Sequence, residues 1–233
     1  MPSPGSAGVH RIEAFSDAVF AFALTLLVVS LEVPSTFDEL MATMRGFVPF
    51  AACFAVVTWL WHEHSVFFRQ FGMADTVTVV LNSVLLFVVL FYVYPLKFVF
   101  TLVFAEVFGL SGARQVHARI EDSATLMTIY SVGFIVIFLC LAALYWHAGR
   151  RQGALKLDPL QAYDARAAMI THLLSVGVGV VSLIFTLALP AKLAGLSGYL
   201  YVLLGPVHGT YGSFNGRRRA RFAQHEKQRM APV

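Results

Sequence analysis

The side chains with usable chemistry are few, and they are clustered. His10, Arg11, Glu13, Ser16 and Asp17 crowd the entrance of an otherwise apolar stretch that runs on through Val19, Phe20, Phe22, Leu24 and Leu26. A second group, Trp59, Trp61, His62, Glu63 and His64, lies at the end of another apolar stretch, and Asn82 stands near the start of a third. An ionisable group at membrane depth is costly unless it faces a partner or a water-filled cavity. An interface serves Arg11 and Glu13, whereas Asp17 lies about one and a half helical turns further in and needs partners. When the second stretch ends and the third begins on the side where the first starts, Trp61, His64 and Asn82 reach the depth of Ser16 and Asp17. A network among Asp17, Ser16, His64 and Asn82 then satisfies polar atoms that lipid cannot. His62 and His64 suggest metal ligation, but alternate positions on a helix point about 200° apart and no third ligand is evident, so no metal site is expected. His172 reads as a core histidine with its nitrogens satisfied. No catalytic role is assigned to any of these groups.

The first apolar stretch has two sides. At about 100° per residue, Arg11, Phe15, Phe22, Leu26, Val29 and Val33 fall within about 60° of one another, while Ser16 and Asp17 point more than about 100° away. The helix thus offers an apolar stripe on one face and polar anchors on another. Periodicity alone fits a lipid-facing stripe with a buried anchor equally well.

The elements that must position these residues follow from composition. Of 233 residues, 58% are hydrophobic and 13% charged, with 21 Phe; a soluble domain carries about 45–50% apolar and about 25% charged residues. A water-facing surface cannot be built from this mixture, so the fold class is an all-α membrane protein. A spanning helix uses roughly 20 residues, and apolar stretches of that length occur at 12–33, 47–68, 76–95, 123–146, 168–189 and 196–214. Six transmembrane helices are expected in a single domain over 1–233, which ends in a basic cytoplasmic tail at 215–233. That leaves no room for a separate soluble catalytic domain. The third span is the least defined, since apolar character continues past Pro95 and Lys97 to Phe108, as a kinked continuation or an interfacial helix. Pro34 to Arg45 reads as an outer loop. Ser175, Gly177 and Gly179 read as small packing residues, and Cys53 and Cys140 as small core residues with no disulfide or metal spacing.

With six spans, one side receives Arg11, Arg69, Arg150, Arg151, Lys156, Arg166, Arg217, Arg218, Arg219, Arg221, Lys227 and Arg229. The other receives Arg45, Arg114, Arg119 and Lys192. This bias places both termini in the cytoplasm of a multi-pass cell-membrane protein. The Arg217–Arg221 cluster is read as a topology anchor and not as a nucleic-acid site.

The run Arg11-x-x-x-Phe15-Ser16-Asp17, followed by Ala18-Val19-Phe20 and then Thr25-Leu26-Leu27, resembles the first-helix signature of the transmembrane protein 175 potassium-channel family, in particular its single-unit prokaryotic members. Trp61-x-x-His64 followed by Phe67-Phe68, with Asn82 further on, is similar to that family's second and third helices. Tyr145-Trp146-His147 with Arg150-Arg151 is a less specific likeness. The specific motifs cover residues 11–82. The resemblance implies a homotetramer in which the first helix of each subunit lines a central cation pathway. It implies no re-entrant filter; the narrow part consists of apolar side-chain rings with a nearby threonine. Carried onto this chain, the rings are Phe22, Leu26 and Val29, with Thr25 beside them. Arg11, Phe15, Ser16, Asp17, Trp61, His64 and Asn82 carry the signature and hold the helix in register. The chain departs from the family at Phe22, where members usually have Ile or Leu, and four phenyl rings there would crowd the axis.

The function expected is therefore a potassium-permeable cation channel and not an enzyme. Its partners would be copies of itself, the lipid bilayer and monovalent cations, with potassium as the permeant ion and no cofactor. Two other classes stand beside it: a haem- or metal-binding membrane oxidoreductase using His62, His64, His147 and His172, and a secondary transporter, for which broken helices and a midplane site are expected. Gly209-Thr210-Tyr211-Gly212 superficially matches a carbonyl selectivity filter. No pore helix precedes it and no inner helix follows, so it reads as a helix-ending turn.

Overall fold

The computed structural model describes residues 4–29, 34–109 and 122–230. Val33, Arg114 and Arg119 lie outside the described residues. Every regular element among those described is helical.

Helix α1 spans Pro4–Val29. It turns Ser16, Phe20, Ala23 and Leu27, at spacings of four, three and four, into the bundle against α3 and α4. The segment expected as an outer loop instead forms helix α2, Phe37–Arg45. Thr36 Oγ1 accepts from the Glu39 N–H at 3.2 Å and the Glu39 carboxylate accepts from the Ser35 N–H at 2.7 Å. This start is capped from both directions and favoured by Asp38 and Glu39 in its first turn. Helix α3 (Phe47–Phe71) stops at Gly72, whose φ of +53° lets its N–H turn back to the Phe68 carbonyl.

Helix α4 runs from Thr76 to Phe108 without interruption at Pro95. The apolar run past Pro95 is thus a continuation of the third span, about 50 Å of helix against a hydrocarbon thickness of about 30 Å. Asp75 caps its start by accepting from the Val77 and Thr78 N–H groups. Helices α5 (Ser123–Arg150) and α6 (Pro159–Ala188) form the most extensive pair in the bundle. Asp158 and Gln161 make a reciprocal cap at the start of α6, and Pro159 occupies its first turn. The pair approaches closely at Gly179, where a β-carbon would stand 2.8 Å from Ile135 Cγ1. Gly177 meets nothing within 4 Å, so of the two glycines expected to pack, only Gly179 does.

Beyond Pro190 the chain forms α7 (Ala191–Ala194), a 3₁₀ helix (Gly195–Leu203) and α8 (Leu204–Met230). A seam of hydroxyls fastens this segment to the core. Tyr201 OH donates to Ser131 Oγ at 3.0 Å, Ser182 Oγ donates to the Ser197 carbonyl at 3.0 Å, and Thr186 Oγ1 lies 2.7 Å from Ser197 Oγ. Gly209–Gly212 lies inside α8, which corrects the expectation of a helix-ending turn: no proline or left-handed glycine stops the helix there.

Among the described residues, four helices are long and apolar enough to cross a membrane, Gly8–Val29, Thr76–Phe108, Ser123–Arg150 and Pro159–Ala188. The pair α2 and α3, bent by 43°, passes the same measures only when taken together, as a broken span or a re-entrant loop. Residues 196–214 do not meet those measures, because they divide between a 3₁₀ helix and the start of a polar helix.

Candidate functional site

The site is built where α1, α3 and α4 meet. Ser16 sits on the buried face of α1 and donates to the Ile12 carbonyl at 2.8 Å. Its oxygen in turn accepts from Asn82 Nδ2 on α4 at 3.0 Å. Asn82 Oδ1 faces His64 Nε2 on α3 at 2.8 Å. Since Oδ1 can only accept, His64 carries its proton on Nε2, and the relay runs in one direction, His64 to Asn82 to Ser16 to Ile12. Phe20 and Phe68 flank the imidazole, with ring centroids at 5.5 and 4.7 Å. Beside this buried relay, Trp61 Nε1 donates to the Asp17 carboxylate at 2.7 Å. A charged acceptor makes that bond stronger than a neutral one. One link from α3 and one from α4, the latter braced by His64 of α3, thus fasten α1.

Another face of α1 is largely uncovered among the described residues. Phe22 is 55% and Val29 72% exposed, while Ala23 and Leu27 are fully buried. Phe15 and Thr25 are exposed and Leu26 half-buried. The expected stripe is therefore contiguous and lies roughly 120° around the helix from the buried face. Thr25 Oγ1 donates to the Ala21 carbonyl at 2.9 Å, which leaves its oxygen as an acceptor. Arg11 is exposed at the start of the helix.

Three features were not foreseen from sequence. Asp75, besides capping α4, meets His147 Nε2 at 3.0 Å and Arg151 Nη1 at 3.1 Å, and so ties the α3–α4 connection to the end of α5. Burial raises its carboxyl pKa, but the hydrogen bonds from Thr78 and His147 and the charge of His147 prevail and hold it below the usual carboxylate range. The Asp-Thr-x-Thr run was the legible signal, as a cap. Secondly, His172 has no hydrogen-bond partner at either nitrogen among the described residues, contrary to the expectation of a satisfied core histidine. It packs against Tyr145 and Phe138, Glu63 Oε2 stands 3.9 Å from its Nε2, and Ser175, one turn on, is bound to His208 at 2.9 Å. The third is the hydroxyl seam at Ser131, Ser182 and Ser197. Among the described residues no three His, Cys, Asp or Glu side chains cluster to hold a metal, and His62 joins none of the contacts above.

Comparison with known proteins agrees with this geometry. Residues 11–92, which include α3 and the first part of α4 together with most of α1, match the model of a family described as endosomal/lysosomal potassium channel TMEM175. A potassium channel of Marivirga tractuosa is 39% identical over 92% of this chain and 90% of its own. A potassium channel of Streptomyces collinus is 31% identical over 81% of this chain and 91% of its own. The fold is similar to the crystal structure of a variant of the potassium channel MtTMEM175, with a TM-score of 0.76 and 37% identity over 89% of this chain and 93% of that one. With relatives this similar along nearly their whole length, the chain belongs to the TMEM175 family of potassium channels.

Proposed function

We propose that the protein assembles as a homotetramer in the cell membrane and conducts potassium along an axis lined by α1. The observation that carries this reading is the division of α1 into two faces. One is fastened inside the subunit through Ser16, Asp17 and their partners. The other presents Phe22 and Val29 away from the bundle, with the half-buried Leu26 between them. Around a four-fold axis these side chains become stacked apolar rings. Such rings close a pore by dewetting and raise the barrier to ion dehydration. Thr25, beside the stripe with its oxygen free to accept, supplies the polar contact a partly dehydrated cation requires.

Potassium as the permeant ion is supported by the names of the two curated relatives and the crystallised one. Six spans, α1, α3, α4, α5, α6 and the stretch 196–214, are supported by the inner-side excess of Lys and Arg, which also puts both termini in the cytoplasm. Passive conduction needs no cofactor, metal or catalytic residue.

Reconstituting the purified chain and measuring its oligomeric mass together with K⁺ and Na⁺ flux in one sample tests the reading. A tetramer with K⁺ current is expected, and Leu26→Ser should raise the resting leak. A tetramer silent to cations at every voltage and pH overturns it.

A further inference from the structure

We infer that the groove between the start of α6 and the middle of α8 is a binding site for an anionic phospholipid headgroup. The groove encloses about 420 Å³, within the size range of ligand clefts. Arg166 on α6 and Arg218 on α8 both line it. Neither guanidinium is ion-paired among the described residues, although Arg219, next in sequence to Arg218, binds Asp164 through two contacts at 2.6 and 2.7 Å. That bidentate pair links α6 to α8 beside the groove. Its wall is held too: Tyr163 stacks on Phe222 with centroids 5.3 Å apart and donates to Asn215 Oδ1 at 2.7 Å. Arg218 rests over the Phe214 ring at 4.3 Å, which orients the guanidinium.

The layering selects a lipid over a free anion. On α6, Ile170 lies one turn beyond Arg166 toward the membrane. On α8, Phe214 lies one turn beyond Arg218 in the same direction, and both apolar side chains line the groove. Two guanidiniums over an apolar floor match a phosphate over the start of its acyl chains. An inorganic anion would use only the upper layer and leave Ile170 and Phe214 wet. Basic pockets between helices at the cytoplasmic face are suited to acidic headgroups. The assignment rests on the proposed topology, which puts this end of the bundle at the inner leaflet, where α8 carries Arg217, Arg218, Arg219 and Arg221.

The test is titration of the intact, detergent-solubilised protein with phosphatidylglycerol, and separately with phosphatidylcholine, counting bound lipids by native mass spectrometry. Phosphatidylglycerol should bind at one tight site per chain and phosphatidylcholine should not. Arg166→Gln and Arg218→Gln should each weaken binding about fivefold and together about 25-fold. Arg217→Gln with Arg221→Gln removes equal charge outside the groove lining and should change it less than about twofold, and Arg166→Lys with Arg218→Lys should retain most of it. Equal losses in both glutamine pairs would reveal diffuse surface charge, equal binding of phosphatidylcholine would remove the charge recognition, and complete displacement by inorganic phosphate would assign a free-anion site. Each overturns the inference. Lipid binding is read without ion flux, so its failure leaves the channel reading intact, and a silent channel leaves this site intact.

Discussion

Asn82 donates its side-chain amide to Ser16 Oγ at 3.0 Å, joining α4 to α1 between residues 66 apart in the chain. The same amide accepts from His64 at 2.8 Å, so one side chain holds three helices. Asn82→Leu removes both bonds and strands the His64 Nε2 proton in an apolar interior. The expected cost is about 1–3 kcal/mol, and Ser16→Ala, which leaves the His64–Asn82 bond in place, should cost only about 0.6 kcal/mol. Thermal unfolding of the solubilised protein measures both. A leucine variant as stable as the parent would show that the relay does not hold α1.

Trp61 and Asp17 supply the second fastening of α1. Trp61→Phe keeps the ring and deletes the donor to the carboxylate. Because the pair is partly exposed, a loss of about 0.5–1.5 kcal/mol is expected. Asp17→Asn preserves an acceptor and should be milder than Asp17→Leu. Ranking the three by thermal unfolding checks the order.

Phe22 offers a direct test of the exposed stripe. Phe22→Leu trims a ring that, four times over, would crowd an axial pathway. Single-channel conductance should rise, on the order of tenfold for a barrier lowered by about 1.4 kcal/mol. Folding should change little, since Phe22 is 55% exposed in the subunit. Lipid would take the place of the axis in explaining the stripe if neither this change nor Leu26→Ser altered the current.

At the α3–α4 corner, Asp75 combines a cap with contacts to His147 and Arg151. Its carboxyl titrates below the ordinary 3.8 in the folded chain. The stabilisation is therefore complete above pH of about 4 and fades as pH falls through the lowered folded value. Asp75→Asn keeps a capping acceptor and loses the ion pairs; Asp75→Ala loses both and should cost about 1–2 kcal/mol. The stability difference between parent and asparagine variant should shrink as pH falls below about 4. A difference that grows below about pH 4 would reverse the assigned sign.

Gly179 and Gly177 form an internal control for helix packing. Gly179→Ala drives a β-carbon to 2.8 Å from Ile135 Cγ1 and 3.1 Å from Phe134 Cδ1. A loss of about 1–3 kcal/mol is expected. Gly177→Ala meets open space and should be neutral or stabilising by about 0.4–1 kcal/mol, through the unfolded chain. Equal effects at the two positions would contradict the close approach of α5 and α6.

Much of this protein was legible in its residues because lipid leaves few choices. Unbroken apolar stretches must form helices, and a polar group such as Asp17 or Asn82 within them must find a partner. Sequence by itself therefore determined that the chain is an all-helical membrane protein, that α1 has an apolar stripe through Phe22, Leu26 and Val29, and that Ser16 and Asp17 point elsewhere. Periodicity defines angles around one helix axis but not the rotation of that helix against its neighbours, so only the tertiary structure decided that the stripe faces out and that Ser16, Phe20, Ala23 and Leu27 face in. It also decided which donor meets which acceptor: Asp17 takes the indole of Trp61 and Asn82 takes His64, while His172 finds no hydrogen-bond partner among the described residues. Such pairings depend on the relative depth and crossing of helices distant in sequence, which packing sets and composition does not.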